Sequence, residues 1–178
     1  MDKSKKTSRI VMSSVILVLL VFSLVLIIVS SVPKHNLISY YFNSDVNIFM
    51  KLGALPFVVI MVLLIIGIVK MVKVVISYAT SKGDLIKMNS QIKSSANKFI
   101  TCFVLAIVGA LLMPIFYQFM STSEPSEKVL IELSMGGYSA SGYFLVFMIA
   151  SLILSSILRK GNKKEFDETH VAVQKTAE

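Results

Sequence analysis

The sequence predicts an all-α, polytopic membrane protein with four transmembrane helices and both termini on the cytoplasmic side. Two observations carry this reading. Four long runs hold no Asp, Glu, Lys or Arg: Ile10–Val32, Leu52–Val69, Phe99–Met120 and Leu133–Leu158. The basic residues then fall almost entirely on alternate sides of those runs. A helix needs roughly 20 apolar residues to cross a hydrocarbon core of about 30 Å. Lipid offers the backbone no hydrogen-bond partner, so a spanning chain of this kind must be helical. The spans are expected at about residues 10–32, 52–77, 99–120 and 137–158 of one domain covering 1–178, with residues 159–178 as a polar cytoplasmic tail.

Orientation follows from charge. Of 18 Lys and Arg, four lie in the N-terminal tail (Lys3, Lys5, Lys6, Arg9) and six between the second and third runs (Lys70, Lys73, Lys82, Lys87, Lys93, Lys98). Five more follow the fourth run (Arg159, Lys160, Lys163, Lys164, Lys175), leaving only Lys34, Lys51 and Lys128 for the other two loops. The positive-inside rule puts the richer segments in the cytoplasm. The net charge of +8 is thus read as a topology signal rather than a nucleic-acid footprint, which would need a clustered basic face or a recognisable motif. Lys82, Lys87, Lys93, Lys98, Arg159, Lys160, Lys163 and Lys164 are the expected contacts for anionic lipid or for a protein partner. No nucleic acid is expected.

The first span starts after the basic tail and ends before Pro33, which cannot continue a helix. Its 23 uncharged residues exceed the roughly 7–15 of a signal-peptide core, so retention of this helix is expected. Tyr40, Tyr41, Phe42 and Phe49 follow as an expected interfacial belt. The second span has Pro56 in its first turns, and Lys70 and Lys73 toward its inner end, where their stems can snorkel. Ser81-Lys82-Gly83 predicts a turn and Asp84 an N-cap. Leu85, Met88, Ile92, Ala96 and Phe99 share one helical face. They predict a short amphipathic cytoplasmic helix on the membrane surface, with a plain inner extension of the third span as the alternative.

Ala106, Gly109 and Ala110 are expected packing positions in the third span, and Pro114 an expected kink near its outer end. Pro125 suits the first position of a helix, with Glu124 and Glu127 near its positive end. Gly136, Gly137 and Ala140 then offer close packing for the fourth span, or equally a flexible loop before Tyr143.

No catalytic, cofactor or metal site is expected. The uncharged runs contain no ionisable acid or base, and the two histidines, His35 and His170, lie outside them. Cys102 stands alone, which rules out an internal disulfide. Ser139-Ala140-Ser141-Gly142 is similar to the nucleophile stretch of intramembrane serine proteases, but no general base accompanies it.

Three stretches carry a resemblance. Tyr78–Phe99 with its Gly83 turn, Met113-Pro114-Ile115-Phe116-Tyr117, and Leu158-Arg159-Lys160-Gly161 followed by Glu165, Asp167, Glu168 and Val171 resemble an uncharacterised bacterial family of small four-span inner-membrane proteins, a domain of unknown function. The chain departs from it in having Leu85 and Ile86 after Gly83 rather than an aromatic residue. The resemblance implies a multi-pass bacterial inner-membrane protein. Some members are encoded beside helix-turn-helix regulators, which makes such proteins a partner class. The expected role is therefore non-enzymatic, exerted through a partner or a homo-oligomer at the cytoplasmic face. One alternative is a component of a secretion or conjugation apparatus, since Thr80-Ser81-Lys82-Gly83-Asp84 between two spans looks like a pilin hairpin. A small passive pore or permease is the other.

Overall fold

In a computed structural model the described residues form four helices: α1 (Lys3–Ser30), α2 (Ile48–Thr80), α3 (Leu85–Gln118) and α4 (Pro125–Thr176). The structure describes residues 3–30, 48–81, 84–118 and 125–176, and side-chain surroundings at 4–29, 52, 55–81, 84–112, 115 and 142–168. Each helix contains a stretch of 26 to 28 residues that is long and apolar enough to cross a membrane. Each packs on its sequence neighbours, and α1 also closes against α4, so the principal contacts form a ring.

One repeating seam explains the packing. On α1 the buried positions are Arg9, Ser13, Ile16, Leu20, Ser23 and Ile27, alternating by four and three. On α2 they include Phe57, Ile60, Leu64, Met71, Val74 and Tyr78, and on α3 Met88, Ile92, Ser95, Phe99, Cys102 and Ala106. Ser151, Ser155, Leu158 and Asn162 continue the rule on α4. A mean spacing of 3.5 is the pattern of left-handed, knobs-into-holes helix association. The opposite faces are apolar and open, with Val18, Val29, Val62, Val146 and Ile153 more than half exposed, as lipid contact requires.

The seam on α3 passes without a break from Met88 to Ala106. Residues 85–98 are therefore the first turns of α3, packed into the bundle, and not a separate amphipathic helix. Nothing between Leu85 and Leu112 other than Gly109 is a helix breaker, and the apolar face stays in phase across Phe99. Asp84 caps this helix: its Oδ1 accepts the Ile86 N–H at 2.8 Å and its carbonyl the Met88 N–H at 2.9 Å. Ser81 ends α2 in the left-handed region, at φ 52°, with its N–H 3.3 Å from the Tyr78 carbonyl. Lys82 and Gly83 lie outside the described residues.

α4 differs from expectation at both ends. It begins at Pro125, the predicted first position, and runs 52 residues. Gly136, Gly137 and Ala140 are therefore helical rather than part of a loop, and residues 159–176 extend the helix instead of forming a separate tail. The side chains at these small positions, and those of Met113 and Pro114, lie outside the described ones, although α3 itself runs on through Pro114 to Gln118. Tyr40, Tyr41 and Phe42 are outside the described residues, as is the side chain of Phe49. Pro56 sits well inside α2, not in its first turns, because the helix starts at Ile48.

Contacts also fix the relative levels of the helices. A methyl group at Gly67 would lie 3.1 Å from Leu20 Cδ2 and 3.2 Å from Lys98 Cδ. The Phe147 ring meets Phe22 edge-on at 5.9 Å and Phe99 at 6.5 Å. At this level α2 and α3 have reached the ends of their uncharged runs, Val69 and Phe99. On α1 and α4 the runs continue to Ile10 and Leu158, about 15 Å further at about 1.5 Å per residue. The uncharged band is thus stepped.

Candidate functional site

The end of the bundle carrying Arg9, the Ser81 turn and Lys160, here called the basic end, is built around a polar layer. Arg9 is reached by continuing the α1 seam one turn past Ser13, so its side chain enters the core and the residue is only 9% exposed. Its Nη1 pairs with the Glu165 carboxylate, and its Nη2 donates to the Gly161 carbonyl at 2.9 Å. The planar fork suits this double engagement, which a lysine ammonium could not reproduce. Asn162 lies between the two α4 partners and faces the other way. Its Oδ1 accepts the Tyr78 hydroxyl at 2.9 Å, and its Nδ2 donates to Asn89 Oδ1 at 2.8 Å. Lys6 Nζ reaches Ser81 Oγ at 2.8 Å. All four helices are tied together in this way. Among the described residues no buried side-chain nitrogen or oxygen lacks a partner.

Sequence reading did not single out Asn89, Asn162 or the pairing of Arg9 with Glu165. The signal was present: Arg9 and Asn162 fall in phase with an apolar seam, one turn beyond Ser13 and Leu158. A polar residue at such a position must find a partner inside.

Beside the polar layer, α3 and α4 enclose a groove of about 480 Å³. Four of the expected contact residues, Lys93, Arg159, Lys160 and Lys163, line it together. Asn89, Ser90 and Ser156 add neutral polar groups, and Leu85, Ile86 and Phe166 apolar ones. Among the described residues no carboxylate lines it. The other expected contacts lie elsewhere. Lys87 is exposed, and Lys164 sits 3.9 Å from Glu168 on its own helix. Lys98 is half-buried against Gly67, and near it Lys70 Nζ donates to Ser94 Oγ at 2.8 Å.

The placing of these two lysines revises an expectation. The uncharged runs hold no Asp, Glu, Lys, Arg or His, but the packed helices carry Lys70 and Lys98 at levels where α1 and α4 are uncharged. Lys70 lies eight residues from Tyr78, about 12 Å above the polar layer. Ser95 Oγ, 3.4 Å from the Gly67 carbonyl, extends this polar contact between α2 and α3.

Three other span serines are satisfied within their own helices. Ser13 Oγ donates to the Arg9 carbonyl at 2.8 Å, Ser23 to Leu19 at 2.7 Å and Ser151 to Met148 at 3.0 Å. Cys102 is buried on the α3 seam. Of the expected packing residues, Ala106 and Ala110 are fully buried, and Gly109 meets α2: a methyl group there would lie 2.9 Å from Phe57 Cε2 and 3.3 Å from Pro56 Cβ. Among the described residues no three His, Cys, Asp or Glu side chains are grouped to hold a metal.

No protein-family model, curated protein or solved structure matches the chain. The four long apolar helices are those of a small four-span membrane protein, which is the coarse part of the resemblance noted above, and they identify no family. Lipid contact follows from the spans themselves.

Proposed function

We propose that this chain is a non-enzymatic protein of a bacterial inner membrane, with its basic end in the cytoplasm, where it acts through a protein partner. The observation that carries the reading is the contrast between the two surfaces of the bundle. The lipid-facing surface is apolar and unspecific, while the basic end holds a polar layer joining four helices and a groove with four cations and no carboxylate. The asymmetry of fifteen basic residues against three supports the orientation. Serines bonded to their own helices, a buried lone cysteine and the absence of any histidine from the uncharged runs favour an interaction role over catalysis.

The test is photo-crosslinking in native membranes. A crosslinking amino acid at Lys87 or Lys164, both exposed at the basic end, is expected to give a discrete protein adduct. The same group at Val108 or Leu111, on the lipid-facing side of α3, is expected to give lipid adducts only. Protein-free adducts at all four positions would sink the reading.

A further inference from the structure

We propose that the groove between α3 and α4 binds the phosphate headgroup of an anionic phospholipid. The inference deepens the reading above and rests on the basic end facing the anionic leaflet. Charge is the first argument. Lys93 reaches in from α3, and Arg159, Lys160 and Lys163 from α4, with no carboxylate in the lining. The nearby acids are engaged or turned away: Glu165 pairs with Arg9, Glu168 faces Lys164, and Asp84 accepts the Ile86 N–H. Asp167 is exposed, one turn past Lys163. Position is the second argument. Arg159 and Lys160 directly follow an uncharged run, so they stand where hydrocarbon gives way to headgroups.

The third argument is the chemistry of the remaining wall. Asn89, Ser90 and Ser156 offer hydrogen bonds to phosphate or glycerol oxygens, and Leu85 and Phe166 offer apolar surface. On the turns of α4 that lead away from the groove, Ile153 and Ile157 are 56% and 48% exposed. An acyl chain attached to a phosphate seated below would lie along them. A free phosphate would use the cations and leave this apolar track unused. Arginine grips a phosphate with a planar fork and lysine as a point charge, and the groove has both.

The full chain, purified in a neutral detergent and stripped of lipid, is titrated with phosphatidylglycerol, and retained lipid is counted by native mass spectrometry. Preferential retention of phosphatidylglycerol over phosphatidylcholine is expected. K93Q/R159Q/K160Q/K163Q should weaken retention by about tenfold or more, from the loss of four near-surface cations. K5Q/K73Q/K87Q/K164Q removes equal charge from exposed sites and should weaken it by less than about threefold. Equal losses in the two variants would mean diffuse attraction and overturn the site. Displacement of the lipid by inorganic phosphate, with matching thermal stabilisation, would make free phosphate the ligand and overturn the lipid assignment. Should the first quadruple variant lose its helical circular dichroism, K160Q/K163Q against K160R/K163R replaces it, and only the arginine pair should retain lipid. Because the isolated chain is used, this titration can fail while photo-crosslinking still captures a protein, and the reverse.

Discussion

Arg9 shows how much one side chain can decide. It is buried, yet it satisfies two acceptors on α4, the Glu165 carboxylate and the Gly161 carbonyl. Removing one member of a buried pair leaves the other desolvated and unpaired, which costs about 3–5 kcal/mol when burial is complete. The Glu165 side chain is 27% exposed, so water recovers part of that loss, and Arg9→Ala should cost about 2 kcal/mol. Glu165→Ala should cost at least as much, because it leaves the more deeply buried guanidinium with only the neutral Gly161 carbonyl. The double variant should be more stable than the sum of the two single losses implies, as measured by thermal unfolding in detergent. Strict additivity would show that the pair is not coupled. The partner of Arg9 could not be named from sequence, since 156 residues separate it from Glu165. Only the placement of both on one end of a closed ring brings them together.

At the scale of the helix, the sequence was legible wherever one physical rule dominated. Uncharged length picked out four helices long enough to span, Asp84 marked the start of α3 and Pro125 the start of α4. The reading faltered where two rules competed. Met88, Ile92 and Ala96 make an apolar face that suits either a membrane surface or a bundle core, and only continuation of the same seam through Cys102 and Ala106 favours the core. Gly136 and Gly137 are poor helix formers, but they stand inside a 52-residue helix. Two glycines give a test of the packing. At Gly109 a methyl group would press on the Phe57 ring at 2.9 Å, so Gly109→Ala should destabilise the α2–α3 contact by about 1–3 kcal/mol. At Gly161 the nearest atom would be Arg9 Nη2 at 3.6 Å, an ordinary contact. Gly161→Ala should be neutral or slightly stabilising, because alanine is the better helix former. Chemical denaturation of both variants would compare them directly, and equal losses would contradict this account of the α2–α3 contact.

At the scale of the whole molecule, the prediction concerns sidedness. Lys6, Arg9, Ser81 and Glu165 meet at one end, so the start of α1, the end of α2 and the start of the α4 extension are expected to share a side of the membrane. Cysteines placed at Thr7, Thr80 and Glu168, all exposed, should react together with an impermeant maleimide in inverted vesicles and stay silent in intact cells. The native Cys102, being buried, should leave the background dark. Reaction of any one site from the opposite side would break the arrangement. The stepped uncharged band has a further consequence. α1 and α4 adjoin on one side of the ring, α2 and α3 on the other, and the uncharged runs of the two sides end about 12–15 Å apart at the basic end, while Val72 and Ile76 stay exposed on α2 beyond Val69. A flat slab of hydrocarbon meets both edges if the bundle leans. Across about 20 Å, two helix diameters, that step corresponds to an inclination of about 31–37°, within the 0–40° range of spanning helices. An upright bundle would instead rely on Lys70 and Lys73 to snorkel toward the headgroups, or draw the lipid surface inward beside them and thin one flank of its own membrane.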